Sequence, residues 1–399
     1  MRIVYYSRPN YIDSFLPRAV ALSKIMEVHV LEEIAPETWN GEMRNLPSAL
    51  LQNTIVTDAA AVDMCFPGEV RRSLRGCASF GLVLHTQKRS LHPSSWVVSR
   101  EAIRYIRNLK PDILHIEDIQ MRLAPALLGI NDIPVVLDVH DVIPHTGERN
   151  WRQSLSRWLT FRRASHFVFY SRFSMNQFRQ RYPAIPESKL SSISFGPCDL
   201  LARGRTRPVP TGDRRVLLLG RMSPYKGVEY FLAAARTVSR EIDNCVFTIA
   251  GKTIAGYDLP GLPHLDGNCR FEVINERIPD QRMADLFDAA TVVVCPYTDA
   301  TQSGIIPIAY AFDKPVIATD VGGLSEYVWE GRTGIIVPPR DAHALAAGIV
   351  SVLCDRAFRE QVAGSIRQFT ASALSWENSA AKLLSVYQSL TAEGRPAQG

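Results

Sequence analysis

Along this chain short apolar, β-branched runs alternate with stretches whose apolar residues recur every three to four positions. The first kind predicts strands at Arg2–Tyr6, Val28–Leu31, Ile113–Ile116, Val135–Asp138 and Phe167–Tyr170. The second predicts helices at Ser14–Lys24, Ser99–Asn108, Trp151–Arg163 and Ser174–Arg181. A polar, Pro- and Arg-rich stretch, ARGRTRPVPTGD from Ala202 to Asp213, interrupts the alternation and reads as an interdomain linker. Beyond it strands are predicted at Arg215–Leu219, Val246–Ala250, Arg270–Ile274, Thr291–Cys295 and Pro315–Ala318. Helices are predicted at Val228–Ser239, Gln281–Ala289, Ile305–Phe312, Ala342–Leu353 and Trp376–Leu390. Alternation of this kind is the signature of parallel α/β architecture. A chain of 399 residues exceeds one ordinary core, so two Rossmann-like domains are expected. They would cover residues 1–200 and 214–374, with 201–213 as linker and 375–399 as a closing helix.

Composition narrows the classes. A hydrophobic content of 46% with 21% charged residues is that of a globular chain. Arg8, Pro9, Asn10 and Asp13 interrupt the start, so no signal peptide is expected, and no run approaches the ~20 apolar residues of a membrane span. The seven cysteines are scattered, without a C-x-x-C pair, and read as reduced thiols in a cytoplasm. The net charge of +5 falls in the first half, concentrated from Arg71 to Lys110 and from Arg149 to Lys189. Such a surface suits anionic lipid or a phosphorylated acceptor. Nucleic acid is not expected as a partner, because no recognition-module signature is present.

Two segments carry chemistry. In LLLGRMSPYKGVEYFLAAA, Leu217 to Ala235, a strand leads through a tight turn at Gly220 into a helix. Arg221 and Lys226 project from that loop beside a helix N-terminus, a pairing suited to a pyrophosphate. In the second segment, Cys295 to Val328, a strand leads into the polar loop Thr298 to Gly304 and then into an apolar helix starting near Ile305. Backbone amides of Gln302, Ser303 and Gly304, with the hydroxyls of Thr301 and Ser303, would form an anion site there. Val321-Gly322-Gly323 reads as a turn in which side chains would block close approach. Each segment taken alone is also compatible with a solvated loop and a plainly capped helix.

Together the two segments resemble the retaining GT-B-fold glycosyltransferases of family 4. Gly220, Arg221, Lys226 and Gly227 match that family's G-R-x-x-x-x-K-G loop, and Lys314 to Glu326 with Gly331 to Pro339 match its later pattern. The likeness is strong over about 215–355. It continues more weakly through Val139-His140-Asp141, Tyr170-Ser171 and Ile193 to Pro197, and Ser375-Trp376-Glu377 looks like the family's closing segment. The resemblance implies a GT-B fold with two Rossmann-like domains facing across a cleft. It also implies a nucleotide diphosphate sugar held by the C-terminal domain, with Arg221 and Lys226 on the diphosphate, and an acceptor held by the N-terminal domain. His140 would approach the donor sugar and the acceptor hydroxyl, and the terminal helix would cross back onto the first domain. One departure is clear: alignment on Lys314-Pro315-Val316 places Ala300 and Ile308 where many members carry an E-x7-E glutamate pair. Asp299, beside the first lost glutamate, would then serve sugar hydroxyls, and Glu326 would contact sugar or ribose.

The first strand is followed by Ser7-Arg8-Pro9-Asn10-Tyr11 where many relatives have a Gly-rich loop, so Arg8 and Tyr11 are assigned to the acceptor side. Trp151 to Arg163 reads either as an amphipathic surface for anionic lipid or as an ordinary helix burying its apolar stripe; full burial of both tryptophans would exclude the first. No D-x-D pattern occurs, so neither a metal nor another cofactor is expected. The expected function is metal-independent, retaining, hexosyltransferase-like transfer to a sugar or lipid-linked acceptor in polysaccharide or glycoconjugate biosynthesis. The expected place is the cytoplasm, with contact at the inner face of the membrane. A catalytically silent scaffold and a sugar-nucleotide epimerase of the same fold stay open as alternatives.

Overall fold

The computed structural model describes residues 1–38, 40–41, 44–47, 50, 52–66, 68–90, 92–143, 151–203 and 214–393. The chain divides into two compact units, Met1–Phe195 together with Trp376–Gly399, and Gly196–Ser375. Among the described residues no helix is long and apolar enough to cross a membrane. The seven cysteines are all free thiols.

The first unit begins with β1 (Arg2–Ser7), α1 (Ile12–Ser23) and β2 (Glu27–Ile34), followed by the short pair β3 (Asn40–Gly41) and β4 (Arg44–Asn45). Then come β5 (Thr54–Val56), α2 (Ala59–Asp63), α3 (Gly68–Leu74), β6 (Ser79–Leu84) and α4 (Pro93–Asn108). It continues with β7 (Ile113–Ile116), α5 (Ala124–Leu127), β8 (Val135–Val139), α6 (Trp151–Arg163), β9 (His166–Phe169), α7 (Arg172–Arg181) and β10 (Leu190–Ser192). Eight strands form one sheet in the order β10-β9-β8-β7-β1-β2-β6-β5, parallel except for β5, which runs against β6. Strands β7, β8 and β9 are buried along their whole length, which is why they read as unbroken apolar runs rather than alternating ones.

The second unit holds α8 (Asp199–Arg203), β11 (Arg214–Leu219), α9 (Val228–Glu241), β12 (Cys245–Ala250), β13 (Arg270–Ile274) and α10 (Asp280–Ala289). It is completed by β14 (Val292–Cys295), α11 (Ile305–Ala311), β15 (Val316–Thr319), β16 (Gly334–Val337), α12 (Ala342–Cys354) and α13 (Arg356–Ser372). All six strands are parallel, in the order β13-β12-β11-β14-β15-β16. This is the doubly wound order 3-2-1-4-5-6, whose direction reverses between its first and fourth strands, here β11 and β14. Helix α9 buries Phe231, Leu232, Ala235 and Val238, which share one face because Ala235 follows the first two by four and three positions and Val238 follows it by three. Full burial of each large member of such a stripe contributes about 1.5–3 kcal/mol. The last described element is α14 (Trp376–Glu393), which packs against α1 in the first unit.

Some elements depart from the sequence expectation. Strand β6 was not foreseen, because Gly81 divides SFGLVL; a Cβ at that position would come within 2.9 Å of Leu31 Cδ2. Helix α13 was missed because only Val362 and Ile366 are buried along it, too few to produce a stripe. The expected linker 201–213 begins inside α8, and its remainder, 204–213, lies outside the described residues.

Candidate active-site residues

In the second unit the loops after β11 and β14 emerge where the strand order reverses, the position at which open α/β sheets bind ligands. The β11 loop carries Gly220, Arg221 and Lys226, and closes in a single 3-10 turn, Pro224–Lys226. Gly227 then takes φ +65°, and a Cβ there would lie 1.9 Å from the Pro296 carbonyl oxygen, so only glycine lets the β11 loop touch the β14 loop. A hydrogen bond from Thr298 N to Tyr225 O, 2.8 Å, ties the same two loops.

Lys226 is 6% exposed, and its Nζ donates to Tyr297 Oη at 2.6 Å while lying 3.9 Å from the centre of that ring. Among the described residues it makes no ion pair with a carboxylate. Burial, with the like charge of Arg221 adding to it, lowers its pKa from the ordinary lysine value to about 8. A buried cation without a counter-charge is costly, and an anion arriving beside it would relieve that cost. Tyr297 Oη lies 3.2 Å from Ser303 Oγ, which accepts from Ile305 N at 3.2 Å. A Cβ on Gly220 would lie 3.2 Å from Lys226 Nζ and 3.9 Å from Ile305 Cδ1. Gly220, Lys226, Ser303 and Ile305 are thus brought together around Tyr297, a residue the sequence reading did not single out.

Thr301 joins the second glycine turn: Gly323 N donates to its carbonyl at 3.2 Å, and a Cβ on Gly322 would fall 1.6 Å from Ala300 O. Thr301, Gln302 and Gly304 are half-buried, whereas Arg221, Asp299 and Glu326 are exposed. Glu326 sits in the single turn Leu324–Tyr327 that follows the glycines. Ala300 and Ile308, at the positions of the missing glutamates, are both buried. Ser223, between Arg221 and Lys226, is buried, and its Oγ has no hydrogen-bond partner among the described residues.

In the first unit the strand order reverses between β1 and β7. Tyr6 pairs with Ile116 and Ile116 with Leu137, so Ser7, Glu117 and Asp138 follow at one sheet level. Around them lies a buried polar cluster. Arg18, fully buried on α1, pairs with Glu117 and with Asp138 Oδ2, the latter at 2.5 Å. Tyr170 Oη donates to Glu117 Oε1 at 2.7 Å and also lies 3.1 Å from Asp138 Oδ2, and Tyr5 Oη donates to Glu117. His140 Nε2 donates to Glu117 Oε1 at 2.8 Å. Burial opposes the charged imidazole, but the Glu117 hydrogen bond and charge outweigh it and raise the His140 pKa above its ordinary value. Glu117, despite a burial that opposes ionisation, is held well below the usual carboxylate range by Arg18 and His140. Two carboxylates thus face Arg18, and the His140 imidazole lies against one of them.

Tyr11 covers this His: the rings stack with centroids 4.3 Å apart and planes 26° from parallel. Tyr11 Oη donates to Asp118 Oδ2 at 2.6 Å, and Arg8 reaches both groups at 3.4 Å. The three first-unit residues singled out from sequence, Arg8, Tyr11 and His140, therefore form one cluster. Of the residues that hold it, Glu117, Asp118 and Arg18 were not foreseen, and Tyr170 entered only through the weaker part of the likeness.

Among the described residues no group of three His, Cys, Asp or Glu side chains could hold a metal ion. Residues 213–355 match the model of glycosyl transferases group 1, and residues 61–196 match that of glycosyltransferase family 4. The chain is 28% identical over 175 residues to the alpha-D-kanosaminyltransferase of Streptomyces kanamyceticus, covering 44% of this chain and 45% of that one. It is 28% identical over 297 residues to a Mycobacterium tuberculosis glycogen synthase, covering 70% and 69%. The chain spans about half the length of several of the curated relatives it matches. The crystal structure of Anabaena HepE in complex with UDP-glucose superposes with a TM-score of 0.62 at 16% identity, covering 97% of this chain and 100% of that one. With the two family models together spanning most of its length and a GT-B structure matching nearly all of it, the chain belongs to the group 1 glycosyltransferases of GT-B fold.

Proposed function

We propose that the protein is a retaining glycosyltransferase that moves a sugar from a nucleoside diphosphate sugar to an acceptor hydroxyl in polysaccharide or glycoconjugate assembly. The observation that carries this reading is Lys226: a buried ammonium with no carboxylate partner among the described residues, at the switch point of a doubly wound sheet. A leaving diphosphate supplies the missing negative charge. Arg221, Lys226 and the polar groups around Ser303 would stabilise the charge that develops as the bond to the anomeric carbon breaks, where fixed dipoles and charges contribute most. HepE binds UDP-glucose on a similar fold, which favours a uridine nucleotide.

The acceptor is assigned to the first unit, beside His140, Tyr11, Arg8 and Asp118. His140, whose Nε2 donates to Glu117 Oε1, positions the acceptor hydroxyl in this reading, and the acceptor's proton passes to the donor phosphate. Attack from the leaving-group side then retains configuration. No carboxylate occupies either lost glutamate position, so donor hydroxyls fall to Asp299, Glu326 and backbone groups. Catalysis needs no metal in this reading, because the two cations neutralise the diphosphate. Free thiols are consistent with a cytoplasmic enzyme acting at the inner face of the membrane. A silent scaffold has no reason to keep a buried, unpaired lysine, and an epimerase would need acid–base carboxylates on the donor side.

The test is turnover of a uridine diphosphate sugar followed by NMR of the product's anomeric signal, with and without EDTA. Retained configuration and full rate in EDTA are expected. An inverted product, or a rate abolished by EDTA and restored by Mg²⁺, would overturn the corresponding part of the proposal.

A further inference from the structure

Helix α6 presents two different sides. Its inner side, Ser156, Leu159 and Thr160, is buried, and Phe161 packs edge-on against Phe167, Phe178 and Tyr182. On its other side Trp151, Leu155 and Trp158, spaced four and three apart, are 64%, 40% and 56% exposed. Neither tryptophan is buried, so the membrane reading of this helix passes the condition the sequence set for it. The helix carries four arginines and no acidic residue. Two of them serve structure: Arg157 donates to the carbonyls of Val142 and Asp141 at 3.0 and 3.1 Å, and Arg163 to those of Ile133, at 2.8 Å, and Ile130. The other two lie against the exposed tryptophans, Arg152 5.5 Å from the Trp151 ring and Arg162 5.6 Å from the Trp158 ring. Among the described residues neither has an acidic partner. On the neighbouring α7, Phe173 is also exposed.

We propose that this face of α6 docks onto an anionic lipid bilayer. Tryptophan rings favour the boundary between acyl chains and headgroups, and arginines beside them meet lipid phosphates while their stems cover apolar surface. A second copy of the chain is a poorer occupant, since a two-fold contact through this patch would set like-charged arginines against each other. Because Arg157 fastens the helix to the backbone that follows His140, a bilayer lying on α6 lies beside the residues assigned to the acceptor. The acceptor class that fits is therefore a sugar or alcohol carried on a lipid, a conclusion that rests on the transferase reading, whereas the docking surface does not.

The experiment is co-sedimentation of the full chain with phosphatidylcholine vesicles and with phosphatidylcholine–phosphatidylglycerol vesicles at about 2:1, at low and high salt. Uridine diphosphate binding is measured on the same samples. Binding to the anionic vesicles alone is expected, weakened by salt. Trp151→Ser/Trp158→Ser and Arg152→Glu/Arg162→Glu should each weaken it roughly tenfold or more while leaving the calorimetric unfolding transition of the first unit unchanged, which shows that the variants fold, and diphosphate binding by the second unit unchanged as well. No vesicle binding by the native chain, including a case in which α6 is instead covered in a dimer, would overturn the proposal, as would equal binding by both variants. Vesicle binding without nucleotide binding would keep the docking surface and remove the transferase reading.

Discussion

The pKa values of buried Lys226 and His140 are shifted in opposite directions, and each makes a pH prediction. Lys226 lacks a counter-charge, so its pKa falls to about 8. The fold is penalised for the cation below that pH and regains stability as pH rises from about 8 towards the ordinary lysine value near 10.4. A bound diphosphate reverses the penalty, so calorimetric affinity should be flat below about pH 8 and weaken above it. Lys226→Met should remove about 2 kcal/mol of binding, roughly 30-fold, and abolish that pH dependence. His140 has its counter-charge in Glu117, and its pKa is raised. Stability from this pair is fully present below the ordinary histidine value, about 6.5, and is lost as pH rises through the raised folded-state value. Glu117→Gln should move the His140 imidazole NMR titration to lower pH and destabilise the first unit by about 3 kcal/mol, since it also removes a partner of buried Arg18. A His140 titration unchanged in that variant would contradict the assignment of Glu117 as the group that raises its pKa. The loop after β11, proposed to hold the donor, stands out in the sequence because its polar residues interrupt an apolar strand–helix pair at a glycine. Glu117 was not legible: it is one acid in Ile116-Glu117-Asp118, and its partner Arg18 lies 99 positions away inside a helix. Tyr297 was hidden in the same way, as an aromatic residue at a strand end whose hydroxyl finds its lysine only in the fold.

At the scale of elements, the sequence read well where apolar spacing or flanking loops mark the ends of an element, whether or not the element is buried. Helix α6 was bounded at Trp151 and Arg163 by its aromatic spacing, and β13 at Arg270 and Ile274 by its flanking loops. It read poorly where a glycine stands inside a strand, as in β6, or where a helix buries only two side chains, as in α13. The role of α14 was suggested only by resemblance, and the structure gives its physical basis. Leu383 and Tyr387 are fully buried, Tyr387 Oη pairs with His115 Nδ1, and Ser379 Oγ donates to Ser194 O at 2.8 Å. His115 Nε2 in turn lies 3.0 Å from Asp138 Oδ1, so the helix closes the far side of the cluster that holds His140. Leu383→Ala should cost about 2–4 kcal/mol through the cavity it leaves. Scanning calorimetry should show the first unit's transition falling while the nucleotide-stabilised transition holds. A drop in the nucleotide-stabilised transition instead would contradict the assignment of this helix to the first unit.

At the scale of the molecule, two doubly wound units divide the work proposed for them: a buried cation without a carboxylate partner in one, a histidine held by a buried carboxylate in the other. That division follows from strand order, since each cluster sits where its own sheet reverses direction, between β11 and β14 and between β1 and β7. The family and the fold were legible from the glycine and lysine spacing of the second unit. The surface of α6 was legible only as a pair of alternatives, because spacing alone does not say which side of a helix meets the core. The account stands or falls on the donor site. Isothermal titration of the full chain with uridine diphosphate, repeated in EDTA and with Lys226→Met, tests it most directly. Binding by the native chain, unaffected by EDTA and weakened roughly 30-fold by the substitution, is the predicted result. Equal affinity in the native chain and the variant, or no heat with any nucleoside diphosphate at millimolar concentration, would contradict it.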